Sequence, residues 1–295
     1  MSQLIRFDWA MKRLLRSKAN FGILEGFLSE LLKKDLKILN LLESEGNKDD
    51  RDIKFNKVDI LVELSDGEIV LIEVQTTTED DYFYRMLFGT SKIVTEYIKE
   101  GEPYFHVKKV YSINILYFDL GHGSDYIYHG TTSFLGLHDN DQLDLSEKQK
   151  KAYNKDYAHQ IYPEYYLIKV NQFDDVAKDT LDEWIYFLKN ETVKDGFCAK
   201  GLLEAKEKLD SMKLSEPEKQ AYKKYMENLS YQKSMVVCNY DSGVIDGMEI
   251  GLAEGEAKGE MKKARDTAAK MRKLGLDTAV IAEVTGLTIE EIQKI

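Results

Sequence analysis

The chain has 295 residues, of which 43% are hydrophobic and 32% charged, and a formal net charge of -11. That balance excludes wholesale disorder, and no run of about eighteen apolar residues is present to cross a bilayer; a soluble protein without a membrane partner is expected. Two cysteines, Cys198 and Cys238, are too few for a disulfide framework, which suits a reducing cytoplasm, and the acidic balance argues against a protein that coats nucleic acid nonspecifically while leaving room for a local basic face.

Only Pro103, Pro163 and Pro217 interrupt the chain, so long helices are possible over much of it. Two open it. Phe7, Met11, Leu14 and Leu15 recur at helical spacing, and Phe21, Leu24, Phe27, Leu28, Leu31 and Leu32 follow Asn20, a suitable N-cap. Arg6 to Lys37 holds eight basic residues against four acids, an excess that stands out in an acidic chain. Lys12, Arg13, Arg16 and Lys18 are therefore either phosphate contacts or a solvated helix face.

From Phe55 the hydrophobic period changes to two. Phe55 to Leu64 and Glu68 to Thr76 read as strands joined at Ser65-Asp66-Gly67. A helix is expected from about Glu79 to Glu100, ended by Gly101. Strands follow at Lys109 to Leu120, Asp125 to Thr132 and Tyr165 to Val170, then a helix at about Val176 to Leu188. After Asn190 the pattern is helical only, with a break at Pro217. Glycine recurs every four residues from Gly243 to Gly259; glycine inside a helix costs roughly 1 kcal/mol against alanine, so this stretch is either a partly helical linker or a face for self-association. Asp277 to Ile295 has helix-turn-helix spacing, but its acids oppose phosphate contact, which favours a packing or protein-contact unit over base readout. The expected organisation is 1–190 as the α/β domain, 191–240 as a helical extension, 241–273 as a glycine-repeat linker or helix, and 274–295 as a small helical tail.

The chemistry concentrates in the hairpin, and the length of its bend decides the reading. A two-residue bend at Asp66-Gly67 places Asp59 and Glu73 on opposite faces of the sheet. A three-residue bend with Gly67 in the left-handed bulge position sets Leu64 against Glu68 and Asp59 directly across from Glu73. Side chains favour the second: it collects Val58, Ile60, Val62, Val70, Ile72 and Val74 on one face and leaves Asp59, Glu73 and Gln75 on the other. Opposed carboxylates with Cβ atoms about 5 Å apart repel unless positive charge intervenes. A divalent cation answers this, and oxygen ligands suit Mg²⁺ or Mn²⁺; protonation of one acid, or pairing with a base such as Arg85 on the next helix, answers it too.

Asp, a hairpin, then Glu-x-Gln resembles the PD-(D/E)XK nuclease core, and the wider frame resembles the recombination-promoting nucleases and transposases within it. Phe7-Asp8-Trp9 with Met11-Lys12-Arg13-Leu14, then Ile72-Glu73-Val74-Gln75, Tyr84-Arg85-Met86-Leu87, the Gly101 to Tyr104 turn, Val110-Tyr111-Ser112-Ile113-Asn114-Ile115, Tyr165 to Val170 and Trp184 to Leu188 fall in the family's order, over roughly residues 5 to 190. The resemblance implies an α/β restriction-endonuclease-like core, a mixed sheet flanked by helices, carrying an all-helical C-terminal extension. It implies hydrolysis of DNA phosphodiesters with Mg²⁺ or Mn²⁺ held by Asp59, Glu73 and the Val74 carbonyl. Gln75 stands where a lysine is commoner; it has no charge and accepts no proton, so it can only orient the attacking water. Glu25 is either the accessory acid that some of these enzymes carry on this helix or part of a solvated face, and Arg85 joins the phosphate-contact candidates. The alternative activity class is a noncatalytic DNA-binding or assembly protein on the same scaffold.

Overall fold

A computed structural model of the chain describes residues 4–13, 15, 17–42, 59–98, 101–210 and 213–295. The expected strand from Phe55 to Val58 and the residues Leu14 and Arg16 lie outside them, as do the side chains of Lys12 and Arg13. The chain divides into two units, Met1–Gln220 and Ala221–Ile295.

In the first unit, six strands form one mixed sheet: β1 (Ile38–Leu41), β2 (Ile60–Leu64), β3 (Ile69–Gln75), β4 (Val110–Leu116), β5 (Ile127–Gly130) and β6 (Glu164–Lys169), in the order β1-β2-β3-β4-β6-β5. β3, β4 and β6 run parallel to one another, and the β1-β2, β2-β3 and β5-β6 pairs are antiparallel. Helices α1 (Phe7–Arg13), α2 (Phe21–Leu32) and α5 (Thr180–Asn190) share an aromatic core in which Phe7 meets Phe27, Trp184 and Phe187 at 5.8 to 6.3 Å between ring centres. α3 (Tyr82–Glu96), α4 (Glu147–Tyr153) and α6 (Leu202–Lys208) complete the unit's shorter helices among the described residues.

The hairpin has the three-residue bend. Ile60 pairs with Ile72, Leu61 with Leu71, Val62 with Val70 and Glu63 with Ile69, and the Leu64 N–H bonds to the Glu68 carbonyl at 2.8 Å. Gly67 has φ +82°, where a side chain would be strained. One face of β2 and β3 is aliphatic and buried: Ile60, Val62, Val70, Ile72 and Val74 are each no more than 5% exposed. The other face is also covered for most of its length. Leu61, Ile69 and Leu71 pack with Val110 and with Ile93 of α3, and Tyr82 and Met86 of α3 pack with Leu116 of β4 and Phe118 beyond it. Asp59 and Glu73 thus stand at the end of a buried face rather than on an open one.

Several boundaries differ from the sequence reading. α3 spans Tyr82–Glu96, short of both expected ends, and Tyr97, just past its last residue, packs against the Leu61 cluster. α5 starts at Thr180 and not near Val176, since the Asp179 carboxylate caps it by accepting from the Asp182 N–H at 2.9 Å. β1 and α4 were not anticipated, although Ser146 and Gln149 form a capping box at the start of α4. Asn20 does occupy the N-cap position of α2, but its side chain makes no capping bond there.

Pro217 falls in the first turn of α7 (Glu216–Lys273), where a missing N–H costs nothing, and the glycine repeat lies within that helix. In the second unit, α8 (Thr278–Thr285) and α9 (Ile289–Gln293) pack on the end of α7 through Ile281, Leu287, Ile292 and Ala268. Asp277 and Thr288 cap the two short helices and Gly286, at φ +73°, turns the chain between them. Among the described residues no helix is long and apolar enough to cross a membrane.

α2 approaches the start of α6 so closely that a Cβ added at Gly26 would stand 2.2 Å from the Lys200 carbonyl oxygen and 2.6 Å from the Gly201 Cα. Backbone cannot yield as a flexible side chain does, so Gly26→Ala is expected to destabilise the protein by about 1–3 kcal/mol. Urea unfolding reads this as a lower midpoint at unchanged slope; an unmoved midpoint would contradict the contact.

Candidate active site

The β2–β3 register, carried one residue past Ile60 and Ile72, sets Asp59 opposite Glu73. Asp59 Oδ2 accepts from the Val74 N–H at 2.8 Å, so its carboxylate is turned onto the Glu73–Val74 edge. Glu73 is 5% exposed. Burial holds its carboxyl well above the ordinary range, at about 7, against the lowering influence of Arg85 and with a further push from Asp59. A proton, a cation or a guanidinium must offset a carboxylate in that setting.

α3 supplies two groups above Glu73. The Arg85 Nε lies 3.4 Å from Glu73 Oε2, while its Nη1 donates to Glu79 Oε1 at 2.7 Å. The Tyr82 hydroxyl donates to Asn114 Oδ1 at 3.0 Å, with Glu73 Oε2 at 3.4 Å. Asn114 faces Glu73 across the parallel β3–β4 pair, and its amide is held by Ser112 Oγ at 3.0 Å and by the Ser112 carbonyl at 3.1 Å. Burial and the neighbouring Glu73 charge push the Tyr82 phenol up, so it remains a donor at neutral pH. Gln75, at the end of β3, donates through Nε2 to Thr77 Oγ1 at 3.1 Å and to Glu79 Oε1 at 3.2 Å.

The structure therefore gathers Asp59, Glu73, Val74, Gln75 and Arg85 at one end of β3. Of the two readings of Glu25, the solvated face does not hold, since the residue is buried at 7% exposed: its two oxygens take the Lys37 ammonium at 2.7 Å and the Ile38 N–H at 2.9 Å, which ties α2 to the start of β1. Lys18 is exposed in a short 3-10 turn, Lys18–Asn20. Arg85 is engaged by two carboxylates.

Tyr82, Asn114 and Glu79 are the site residues that sequence reasoning did not single out. Asn114 carried a signal, being a carboxamide set between Ile113 and Ile115 in the largely apolar run Val110 to Leu116. Tyr82 and Glu79 gave none, because their roles depend on how the segment after β3 folds back.

The donors suit a hard cation: two carboxylates and, through Val74, a peptide carbonyl are the oxygen ligands that Mg²⁺ and Mn²⁺ prefer. The shared negative charge of Asp59 and Glu73 supplies the attraction. Among the described residues no three His, Cys, Asp or Glu side chains are grouped to hold an ion, so an ion at this place would complete its shell with water and substrate oxygens.

The raised Glu73 value has a stability consequence. A carboxyl that binds its proton more tightly folded than unfolded contributes stability that is present below about pH 4.5 and is lost as pH rises through 7. Glu73→Gln removes that loss, so relative to the wild type it is expected to gain up to about 3 kcal/mol between pH 4 and pH 8. Urea unfolding at the two pH values checks it; a difference that stays constant would contradict the burial of an ionisable Glu73.

A family described as PD-(D/E)XK nuclease family transposase has a model that matches residues 5–237. No curated protein and no solved structure matches the chain.

Proposed function

Because the chain belongs to the PD-(D/E)XK nuclease family transposases, we propose that it is a metal-dependent endonuclease that hydrolyses DNA phosphodiester bonds in recombination or element mobility. One observation carries the reading: the buried Glu73 carboxylate stands opposite Asp59 at the strand end where the family's Glu-x-Gln segment falls. Asp59, Glu73 and the Val74 carbonyl would hold Mg²⁺ or Mn²⁺. A cation there supplies positive charge against the negative charge that develops on the phosphoryl group.

The chain's own groups do the rest. Arg85 and the Tyr82 hydroxyl, whose one hydrogen lies between Glu73 Oε2 and Asn114 Oδ1, fix the Glu73 carboxylate in place, and the Val74 N–H fixes that of Asp59. Gln75 orients water by hydrogen bonding. Lys12, Arg13, Arg16 and Lys18 are proposed to contact DNA phosphates; Arg85, the fifth candidate for that role, stays with Glu73 and Glu79 in this reading, and Glu25, held by Lys37, serves the fold. Exposed Val236, Tyr240, Val244 and Met248 on α7 support self-association of the C-terminal region.

The Arg85–Glu73 pair favours a second reading, a noncatalytic DNA-binding or assembly protein in which the guanidinium stands permanently where a cation would. Cleavage separates the two. With Mg²⁺ or Mn²⁺, the wild type is expected to nick supercoiled DNA and Asp59→Ala and Glu73→Ala to cut at least about 100-fold more slowly. Equal cutting by all three would reject the site, and DNA binding without cutting by any would establish the second reading. At subsaturating Mn²⁺ the wild-type rate is expected to fall about tenfold per pH unit below 7, as protons compete for Glu73; a rate that is flat from pH 6 to 8 would contradict Glu73 as a ligand.

A further inference from the structure

We propose that Glu79 is a positioning residue whose carboxylate fixes which end of the Gln75 carboxamide faces the reaction. A carboxamide offers two N–H donors on nitrogen and one acceptor oxygen, and the two ends have the same shape. Both partners of Gln75 Nε2 are oxygens, Thr77 Oγ1 at 3.1 Å and Glu79 Oε1 at 3.2 Å. They are not equivalent. A threonine hydroxyl donates or accepts and so tolerates either end, whereas an ionised carboxylate only accepts. Turning the carboxamide over would press Gln75 Oε1 against Glu79 Oε1, two acceptors at hydrogen-bond distance. Glu79 alone therefore selects the orientation, with the nitrogen toward the Thr77–Glu79 turn and the carbonyl oxygen directed the other way.

Glu79 can do this because it is itself held. Arg85 Nη1 donates to its Oε1 at 2.7 Å from one turn into α3. The same guanidinium lies 3.4 Å from Glu73, so one arginine spaces the acid that sets the amide from the acid proposed to bind the cation.

What the orientation does rests on the nuclease reading above; the orientation itself does not. A water that attacks phosphorus must aim a lone pair at it, and a hydrogen bond donated by that water to an acceptor, with no proton transferred, holds it in this pose. The Gln75 carbonyl oxygen is such an acceptor. A reversed carboxamide presents an N–H instead, which engages the lone pair that the attack requires. Gln75, without charge or basicity, can help only through this geometry, so the residue that fixes the geometry governs its contribution.

The test compares the wild type, Glu79→Gln, Gln75→Ala and the double variant at pH 9 and saturating Mn²⁺, where the ionisation of Glu73 does not vary. Glu79→Gln lets residue 79 donate, so Gln75 can turn over; kcat is expected to fall about tenfold with KM within twofold, and the same change in the Gln75→Ala background is expected to cost nothing further. A full loss in that background would overturn the proposal, since Glu79 would then act through another group. A second readout needs no activity. The side-chain ¹⁵N–¹H signals of Gln75, identified by their loss in Gln75→Ala, are expected to shift in Glu79→Gln; unmoved signals would overturn the proposal. If the wild type does not cut DNA, the nuclease reading fails and these signals alone decide the orientation.

Discussion

The bend at Ser65-Asp66-Gly67 sets the parity of everything on either side of it. Three residues, with Gly67 held at φ +82°, place Leu64 against Glu68 and so bring each earlier residue onto the same face as its partner in β3. One residue fewer would carry Asp59 to the opposite face from Glu73. The bend is secured from both directions: the left-handed backbone at Gly67 favours glycine, and the all-aliphatic set on the far face would be broken up by any slip of one position. A local conformational requirement and the burial of a whole sheet face thus agree, and their agreement is what fixes the two acids side by side.

Burial then turns this register into chemistry. α3 covers the acid-bearing face as well, with Ile93 over Leu61 and Leu71 and with Tyr82 and Arg85 over Glu73. Glu73 is consequently a carboxylate with little water around it, and desolvation outweighs the nearby guanidinium in setting its proton affinity. Such a group is poor for stability and apt for function, because its cost is relieved by positive charge. Arg85 provides part of that charge and divides it with Glu79, which binds Gln75. The site is one connected set of carboxylates around a single guanidinium, rather than two acids in isolation.

What could be read from the sequence follows from how local each determinant is. The bend length was legible because β-branched residues sort by parity along ten residues of chain, and the order of the later strands was legible from runs bounded by turn residues. The far face of the hairpin was read correctly as buried, but the near face was not: Leu61, Ile69 and Leu71 share parity with the acids, and only the return of α3 shows that they are covered. The burial of Glu25 was not legible, because its partners, Lys37 and the Ile38 N–H, lie beyond the helix at the start of a strand that the sequence did not reveal. Glu79 and Tyr82 were silent for the same reason, since a side chain's partner across a turn leaves no periodic trace. The family resemblance carried the choice of chemistry, and the contacts of Arg85 and Gln75 could come only from three-dimensional packing.

The central claim is that the two opposed acids share a divalent cation, and calorimetric titration of the full chain with Mn²⁺, without DNA, tests it most directly. The account predicts one site per chain for the wild type at pH 8, lost in Asp59→Ala and in Glu73→Gln while both variants retain the wild-type circular dichroism spectrum. Binding that persists unchanged in folded Asp59→Ala and Glu73→Gln, or a folded wild type that takes up no Mn²⁺ at millimolar concentration, would contradict it.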